Sequence, residues 1–312
     1  MGQTASTHST EFRFTSADGL SIACARWDTV GSRRGVVQIA HGMGEHIGRY
    51  RGLIEALVSA GFTVYGNDHR GHGRTAPSAS ELGDFGEGGF DLLMEDMVQL
   101  SRIAKAENPG LPFILFGHSM GSFAAQQYVL EHSREINGLV LSGSGALDGL
   151  ARLVSSAPPG KNILNTRFEP ARTPFDWLTR DTRVVDAFIN DPLCFPQLQP
   201  ASFKSLLAAA ARLSDPNWLG KISYDLPIYL FSGSADPVGQ QLEGVEILIA
   251  RYRRAGLYDI SHDFYSGGRH EMLNEINRNQ VLSNLLDWIF RVLEKEDRSR
   301  TRSSEFQLRN TD

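Results

Sequence analysis

Short apolar runs alternate with longer, helically spaced segments over the first half of the chain. The short apolar runs are residues 35–40, 62–66, 112–116 and 138–141. Residues 49–60, 90–106 and 119–132 form the segments between and after them, where apolar side chains recur every three or four positions. This recurrence is typical of helices that pack one face on a core. Because parallel strands covered on both faces lack polar alternation, the pattern predicts an α/β protein with a mostly parallel central sheet and helices on both faces.

A hairpin precedes this alternation, and the alternation returns near the end of the chain. Residues 11–15 and 20–27 flank Asp18 and Gly19, a dipeptide that favours the turn of a β-hairpin. Both flanking segments therefore read as strands. The remaining predicted strands are 227–231 and 258–265, and the remaining predicted helices are 245–255 and 277–293.

Between 146 and 224 the alternation breaks down into paired prolines, Asp and Asn turns, and isolated aromatic residues. We expect this segment to be a helical cap inserted into a core formed by 1–145 and 225–297. Most of its aromatic side chains should fasten the cap to the core, and a few should line a pocket. The aromatic residues of this segment include Phe168, Phe175, Trp177, Phe188, Phe195, Phe203 and Trp218. Residues 298–312 are charged and aperiodic, which predicts a disordered tail.

Composition narrows the class of protein. Of the 312 residues 41% are apolar, enough for a sizeable core. The net charge of -5, with no basic stripe, argues against a nucleic-acid partner. The two cysteines, Cys24 and Cys194, suggest no disulfide framework, and no apolar run approaches the ~18 residues of a membrane span. Since the N-terminus also lacks the apolar region of a secretory signal, we expect a cytoplasmic protein.

The motif Gly-His-Ser-Met-Gly at 117–121 carries the strongest chemical signal. It follows one predicted strand and opens the next predicted helix, as the nucleophile elbow of α/β-hydrolases requires. Because this turn is tight, small residues are needed two positions before and after the serine, and glycine occupies both. In this interpretation Ser119 is a nucleophile. The alternative is a serine that caps a helix.

An acid and a histidine follow Ser119 in the chain order that α/β-hydrolases use. Asp236 comes just after the predicted strand 227–231, and His270 comes just after the last strand. Because the carboxyl ends of parallel strands meet at one edge of a sheet, we expect both residues beside Ser119. We therefore predict Ser119 as nucleophile, His270 as base and Asp236 as the acid that orients it. His262 is a weaker candidate for the base, because it lies within a strand.

Residues 41–46, His-Gly-Met-Gly-Glu-His, follow the strand 35–40 and have the composition of an oxyanion loop. Acyl transfer needs two N–H donors aimed at the developing oxyanion. Met43 is expected to supply one amide, and Met120, the residue after the nucleophile, the other. The histidines here and at 68–73 can also be read as a metal cluster, but their spacing fits no standard zinc pattern. We expect them to hold two loops together, and the chemistry to need no metal or organic cofactor.

Taken together, these segments resemble the monoacylglycerol lipase and lysophospholipase family of α/β-hydrolases. The matching motifs are HGMGEHIGRY, NDHRGHGRT, GHSMG, GSADPVG and GGRHEMLNE, which lie within about 12–293. The resemblance implies the α/β-hydrolase fold with a helical cap, the same catalytic triad and the same two oxyanion amides. It further implies that Glu45 and Arg49 contact the head group of the substrate.

The resemblance predicts a serine hydrolase that cleaves single-chain fatty acyl esters, monoacylglycerols first among them. One departure is Met43, where the family's lipases have a small alanine, and its longer side chain narrows the alcohol side of the expected pocket. A lysophospholipase, a broad carboxylesterase and a peptidase of the same fold remain open alternatives. A non-catalytic ligand receptor on a hydrolase scaffold is a more remote one. Besides a lipid or ester substrate, the partner we expect is a membrane or micelle that the cap touches transiently.

Overall fold

An eight-stranded sheet forms the centre of the protein in a computed structural model. The structure describes the backbone of residues 8–158 and 160–309 and the side chains of 8–158 and 160–295. The strands are β1 (Ser9–Thr15), β2 (Ser21–Trp27), β3 (Gly35–Ala40), β4 (Phe62–Asn67), β5 (Phe113–His118), β6 (Gly138–Ser142), β7 (Ile228–Gly233) and β8 (Ile260–Tyr265). They lie in the order β1-β2-β4-β3-β5-β6-β7-β8. β2 is antiparallel to both of its neighbours, and all pairs from β4 to β8 are parallel. The predicted mostly parallel sheet is confirmed.

Helices cover both faces of this sheet. They are α1 (Arg51–Ser59), α2 (Gly89–Glu107), α3 (Met120–His132), α4 (Leu147–Ser155), α5 (Thr182–Asn190), α6 (Pro200–Ser214), α7 (Pro216–Leu219), α8 (Glu243–Arg254) and α9 (Arg278–Arg309). Because successive strand residues point to opposite faces, Leu115 joins the apolar cluster of α2, α3 and α8, whereas Phe116 joins that of α1 and α9. Over the described part of the chain, no helix has both the length and the apolar character needed to cross a membrane.

Most element boundaries predicted from the sequence lie within two residues of the observed ones. The N-terminal hairpin is confirmed by the pairing of Thr15 with Ser21. The predicted helix 49–60 differs at its start, because Ile47–Tyr50 forms a 3-10 helix and α1 begins at Arg51.

The largest difference between prediction and structure concerns the predicted disordered tail, 298–312. The backbone of α9 continues to Arg309, in a stretch whose Arg, Glu, Leu and Gln residues all have good helix propensity. Residues 310–312 of the predicted tail, Pro159 of the predicted cap and residues 1–7 of the predicted core lie outside the described residues.

The chain between β6 and β7 contains α4 to α7 and packs on the core through its aromatic side chains. Of the seven aromatic residues named above, Trp177 and Phe188 are buried in the main apolar cluster and the other five pack against it half-buried. Of the seven, Phe175, Trp177 and Phe203 also line the large cavity that has Ser119 in its wall. The expectation that most of these side chains fasten the segment, and a few line a pocket, is confirmed.

Candidate active site

Ser119 stands in a strained turn between β5 and α3. Its φ of 52° and ψ of -122° lie in a region that residues other than glycine rarely adopt. The turn is held by the Ser119 amide, which donates to the carbonyl of Ser142 on β6 at 2.9 Å, and by the Ser119 carbonyl, which accepts from the amide of Ser122 at 2.8 Å. The hydroxyl of Ser119 makes no capping bond to α3. The helix-cap interpretation is therefore wrong, and the hydroxyl is left for chemistry.

Gly121 lets α3 approach the end of β3. A Cβ atom on this residue would lie 2.3 Å from the carbonyl oxygen of Ala40 and 2.5 Å from that of His41. On Gly117 a Cβ atom would lie 2.6 Å from the carbonyl oxygen of Gly121. Since real Cβ contacts are never this short, both positions of the motif admit only glycine. The close approach brings the serine beside the oxyanion loop.

We expect Gly121→Ala to destabilise the protein by about 2–3 kcal/mol or more, because the added methyl group overlaps backbone that has no room to move. The matched control is Gly52→Ala in α1, where an added Cβ meets no atom within 4 Å. There the better helix propensity of alanine should stabilise the protein by up to about 1 kcal/mol. Urea denaturation of both variants checks the prediction, and equal effects of the two changes would contradict it.

Asp236 and His270 meet in a buried hydrogen bond. Asp236 follows β7 and His270 follows β8, and Nδ1 of His270 lies 2.9 Å from Oδ1 of Asp236. Because a carboxylate can only accept, Nδ1 carries the proton and Nε2 keeps its lone pair. Oδ1 also accepts from the amide of Val238 at 2.9 Å, whereas Oδ2 is buried without a hydrogen bond to any described residue. The imidazole is thus held in the tautomer that a general base needs.

The surroundings of His270 set its protonation. Burial by itself lowers the pKa of His270, but the charge and the hydrogen bond of Asp236 outweigh burial and raise that pKa above its ordinary value. The ring of His118 lies 4.7 Å from the His270 ring, and burial lowers the pKa of His118 to about 4. His118 is therefore neutral near pH 7 and does not compete for the proton. His262, the weaker candidate base, is exposed on β8.

The amides of Met43 and Met120 are both free of hydrogen bonds to other described residues. Met120 is the first residue of α3, where the helix dipole favours negative charge. Met43 follows Gly42, and a Cβ atom on Gly42 would lie 3.1 Å from Cβ of Ser119. The oxyanion loop therefore passes in contact with Ser119, and both methionines line the same cavity as the serine.

This cavity has a volume of about 650 Å³ and extends under the segment between β6 and β7. Leu147 and Leu150 from α4 and Leu206 and Leu207 from α6 contribute to its mostly apolar wall. Among the described residues that line it, Lys161 alone is charged. Such a wall suits an apolar chain with a reactive carbonyl at Ser119.

The histidines of the neighbouring loops hold those loops together, as the sequence predicts. The amide of His69 donates to Nε2 of His41 at 2.9 Å, and Oδ1 of Asp68 accepts from the amide of Ile47 at 3.0 Å. Burial lowers the pKa of His69 well below its usual range and that of His72 to about 3, so both rings are neutral. Their ligand atoms do not converge with those of His41 on a common point.

A different trio, His46, Asp191 and Cys194, brings three ligand-type atoms within 4.8 Å of one another. Nδ1 of His46 accepts from the amide of Gly48, so Nε2 carries the proton and donates to Asp191 at 2.9 Å. A metal ion would need the lone pair of Nε2, which this tautomer does not offer. Burial also raises the pKa of the Cys194 thiol to about 12. The trio fits a hydrogen-bonded contact between the oxyanion loop and 191–195 better than a cation site.

Glu45 and Arg49 lie outside the lining of the large cavity. With His118 and Glu271 they line a separate small cavity of about 20 Å³, room for a single water molecule. The expected contacts of Glu45 and Arg49 with a substrate head group find no support in this placement. Arg49 instead pairs with Glu45 and with Glu271, at 2.7 Å in each case.

Two acidic residues with no predicted role, Glu271 and Glu275, follow His270 in the chain. Glu271 pairs with Arg49, and Glu275 is fully buried. Oε1 of Glu275 accepts from the amides of Arg180 at 3.1 Å and Arg269 at 3.0 Å, and Oε2 accepts from Nε of Arg180 at 2.9 Å. Both residues stand in the quoted motif around His270, but nothing in that motif reveals that their carboxylates are buried. Glu275 ties the loop of His270 to the segment before α5.

Comparison with known proteins identifies the family of the chain. Residues 31–277 match the family model described as serine aminopeptidase, S33. A monoacylglycerol lipase of Mycolicibacterium smegmatis is 30% identical to this chain over 288 residues, which cover 89% of this chain and 96% of that protein. The monoglyceride lipase of Homo sapiens is 28% identical over 88% of each chain.

A solved structure shows the same fold. The thermostable carboxyl esterase of Bacillus coagulans in complex with glycerol matches with a TM-score of 0.83 and 29% identity, over 92% of this chain and 100% of that one. The predicted α/β-hydrolase fold is confirmed. The chain belongs to the monoacylglycerol lipase and lysophospholipase family of α/β-hydrolases, within the wider family described as serine aminopeptidase, S33.

Proposed function

We propose that the protein is a serine ester hydrolase of the monoacylglycerol lipase type, which cleaves single-chain fatty acyl esters through an acyl-enzyme on Ser119. The observation that carries the proposal is the apolar cavity of about 650 Å³ with Ser119, Met43 and Met120 in its wall. Its volume is typical of sites that enclose a small molecule. Relatives named monoacylglycerol lipase and monoglyceride lipase point to the same substrate class.

In the acylation step Nε2 of His270 takes the proton from the hydroxyl of Ser119, while Nδ1 donates to Asp236. The serine oxygen bonds to the ester carbonyl carbon, and the carbonyl oxygen becomes an oxyanion. The amides of Met43 and Met120 donate to this oxyanion. The proton on Nε2 then passes to the alcohol oxygen as the carbon–oxygen bond breaks, which releases glycerol or another alcohol.

Deacylation repeats the sequence with water as the nucleophile. His270 takes a proton from water, and the hydroxide oxygen bonds to the acyl carbon of the acyl-enzyme. The bond to the serine oxygen breaks, and Nε2 returns its proton to Ser119. The products are a free fatty acid and the original enzyme. Every proton that moves in this cycle is carried by His270, so its tautomer and pKa control the rate.

A peptidase reading is not supported by the cavity, although the family model carries that description. An aminopeptidase must bind the positive α-amino group of its substrate, for which a carboxylate is the usual partner. No Asp or Glu occurs among the described residues that line the cavity, and Lys161 would repel such a group.

Lysophospholipid hydrolysis is the second candidate, and Lys161 is the observation that favours it. This exposed lysine lines the cavity and can approach the phosphate of a head group. A relative named phospholipase, from Bacillus subtilis, is 26% identical over 79% of this chain. A broad carboxylesterase activity would need no contact between Lys161 and a head group.

A substrate panel separates these functions. We expect the wild-type protein to hydrolyse a monoacylglycerol and a p-nitrophenyl ester, to leave an aminoacyl p-nitroanilide intact, and to lose both ester activities in Ser119→Ala. Faster hydrolysis of lysophosphatidylcholine, lowered selectively by Lys161→Met, would establish the second candidate instead. Tight binding of a monoacylglycerol without turnover or labelling by a fluorophosphonate would identify a non-catalytic receptor.

We extend the proposal to the surroundings of the protein. Residues 146–224 are proposed to act as a cap that touches membranes or micelles, with Leu153 and Ile189 exposed at 44% and 45% on α4 and α5. The core is then 1–145 with 225–297. Free Cys24 and Cys194 support a cytoplasmic location. Replacing Leu153 and Ile189 with serine should weaken co-sedimentation with phosphatidylcholine vesicles, and unchanged binding would argue against this cap contact.

A further inference from the structure

Arg49 lies between the two loops that carry the proposed catalytic groups. Its Nη1 donates to Oε2 of Glu45 and to Oε1 of Glu271, each at 2.7 Å, and its Nη2 donates to Oε2 of Glu271 at 2.8 Å. The contact with Glu271 is bidentate, a geometry that fixes the relative orientation of both partners. The guanidinium also lies over the ring of Phe188 on α5, 5.0 Å from its centre.

Glu45 connects Arg49 to the oxyanion loop. Oε1 of Glu45 accepts from the amide of Gly42 and from the phenol of Tyr50, both at 2.6 Å. Gly42 immediately precedes Met43, whose amide is a proposed oxyanion donor. Because Gly42 also contacts Ser119, a shift of the Glu45 carboxylate would move this amide relative to the nucleophile.

Glu271 connects Arg49 to the loop of the base. It directly follows His270, its amide donates to the carbonyl of Leu178 at 2.7 Å, and its Oε2 accepts from Nδ2 of Asn274 at 2.9 Å. The backbone next to His270 is therefore held on one side by the segment before α5 and on the other by Arg49. The Arg49 guanidinium therefore connects the loop that carries Met43 with the loop that carries His270.

The charges of this cluster make Arg49 indispensable to it. The side chains of Glu45, Arg49 and Glu271 are only 5%, 11% and 5% exposed. Burial alone would raise the pKa of Glu45, but the charge of Arg49, the largest opposing influence, acts with weaker ones such as the Tyr50 hydrogen bond, and together they lower that pKa to about 2. Without Arg49 two buried carboxylates would face each other with no positive charge between them. They would separate or one would bind a proton, and either change displaces a catalytic loop.

Building on the proposed function, we propose that Arg49 is a positioning residue that sets the spacing between the oxyanion loop, 41–46, and the base loop, 266–271, without touching the substrate. Its place beside the 20 Å³ cavity, outside the wall of the 650 Å³ cavity, accords with this role. The oxyanion amides and His270 act on the transition state of every ester. Loss of their spacing therefore lowers kcat for all substrates alike and leaves KM almost unchanged.

The test compares wild type, Ser119→Ala, Arg49→Met, Arg49→Met with Glu271→Met, and Arg51→Met on a p-nitrophenyl ester and the monoacylglycerol of the same acyl chain. For Arg49→Met we expect kcat to fall on the order of 100-fold on both substrates, with KM changed less than about twofold. Arg51→Met is the matched control, because Arg51 forms an exposed pair with Glu55, and its kinetics should stay those of wild type. The double variant restores the net charge of the cluster, so its Tm should recover while its kcat stays low.

Other outcomes overturn the inference. A rise in KM for the monoacylglycerol alone, with normal kcat on the p-nitrophenyl ester, would make Arg49 a substrate contact. Recovery of both Tm and kcat in the double variant would reduce the role of Arg49 to charge balance, and this variant decides the matter if Arg49→Met does not fold. An inactive wild type, or full activity of Ser119→Ala, would overturn the proposed function as well, whereas normal kinetics of Arg49→Met would overturn this inference alone.

Discussion

Ser119→Ala is expected to lower kcat/KM for p-nitrophenyl esters on the order of 10⁶-fold and to abolish labelling by a fluorophosphonate. Alanine removes the only atom that can form the acyl-enzyme, while the amides of Met43 and Met120 remain in place. The φ of 52° at this position is as unfavourable for alanine as for serine, so stability should change little. Steady-state kinetics and thermal denaturation of the same preparations measure both quantities.

The control for this loss is Ser59→Ala, an exposed serine at the end of α1 that should leave the kinetics unchanged. Labelled wild-type protein should carry the probe at Ser119, which peptide mass spectrometry can locate. Retention of more than a small fraction of the esterase rate by Ser119→Ala, in a preparation free of contaminating esterase, would show that another group is the nucleophile.

Asp236→Asn is expected to lower kcat on the order of 10⁴-fold and to shift the pH dependence of the residual activity. Asparagine can donate a hydrogen bond to Nδ1, which moves the imidazole proton to Nε2, where it blocks proton transfer from Ser119. In the wild type the base must be neutral, so kcat/KM should fall as the pH drops through the pKa of His270. That midpoint should lie above 6.5, the ordinary histidine value, because the charge and hydrogen bond of Asp236, together with the charges of Glu271 and Glu45, outweigh burial.

In Asp236→Asn burial remains while the favourable carboxylate is lost, so the midpoint should move to lower pH. Glu271 and Glu45 still favour the charged imidazole, which limits the size of the shift. The measurement is kcat/KM from about pH 5 to 9 for wild type, Asp236→Asn and the exposed control Asp225→Asn. A midpoint that stays in place in Asp236→Asn would mean that a group other than His270 controls the acid limb.

The elements of the fold could be read from the sequence because each carries its own local signal. The buried run 35–40 and the Asp-Gly turn before β2 predict structure without reference to distant residues. The need for glycine two positions before and after Ser119 could also be predicted, since a tight turn excludes side chains whatever surrounds it. The end of α9 was misjudged because a charged, aperiodic stretch with good helix propensity fits either a helix or a disordered tail.

Only part of the candidate site could be predicted from the sequence. The order of Ser119, Asp236 and His270, each after a predicted strand, sufficed to place them at one edge of a parallel sheet. Glu275 went unnoticed, because its importance lies in the four hydrogen bonds that its buried carboxylate accepts from groups that include Arg180, 95 residues away. The spacing of residues along the chain does not predict a hydrogen-bond partner that is so distant in sequence.

The sequence by itself determined the candidates for nucleophile, base, acid and oxyanion donors, since these proposed roles follow from residue type and local turns. Only the tertiary structure decided which polar side chains face the substrate cavity. Glu45 and Arg49 stand in the same motif as Met43, yet Met43 lines the large cavity and the other two are turned into an ion cluster with Glu271. The direction of a side chain depends on charges brought together from 222 residues apart, and folding alone supplies that proximity.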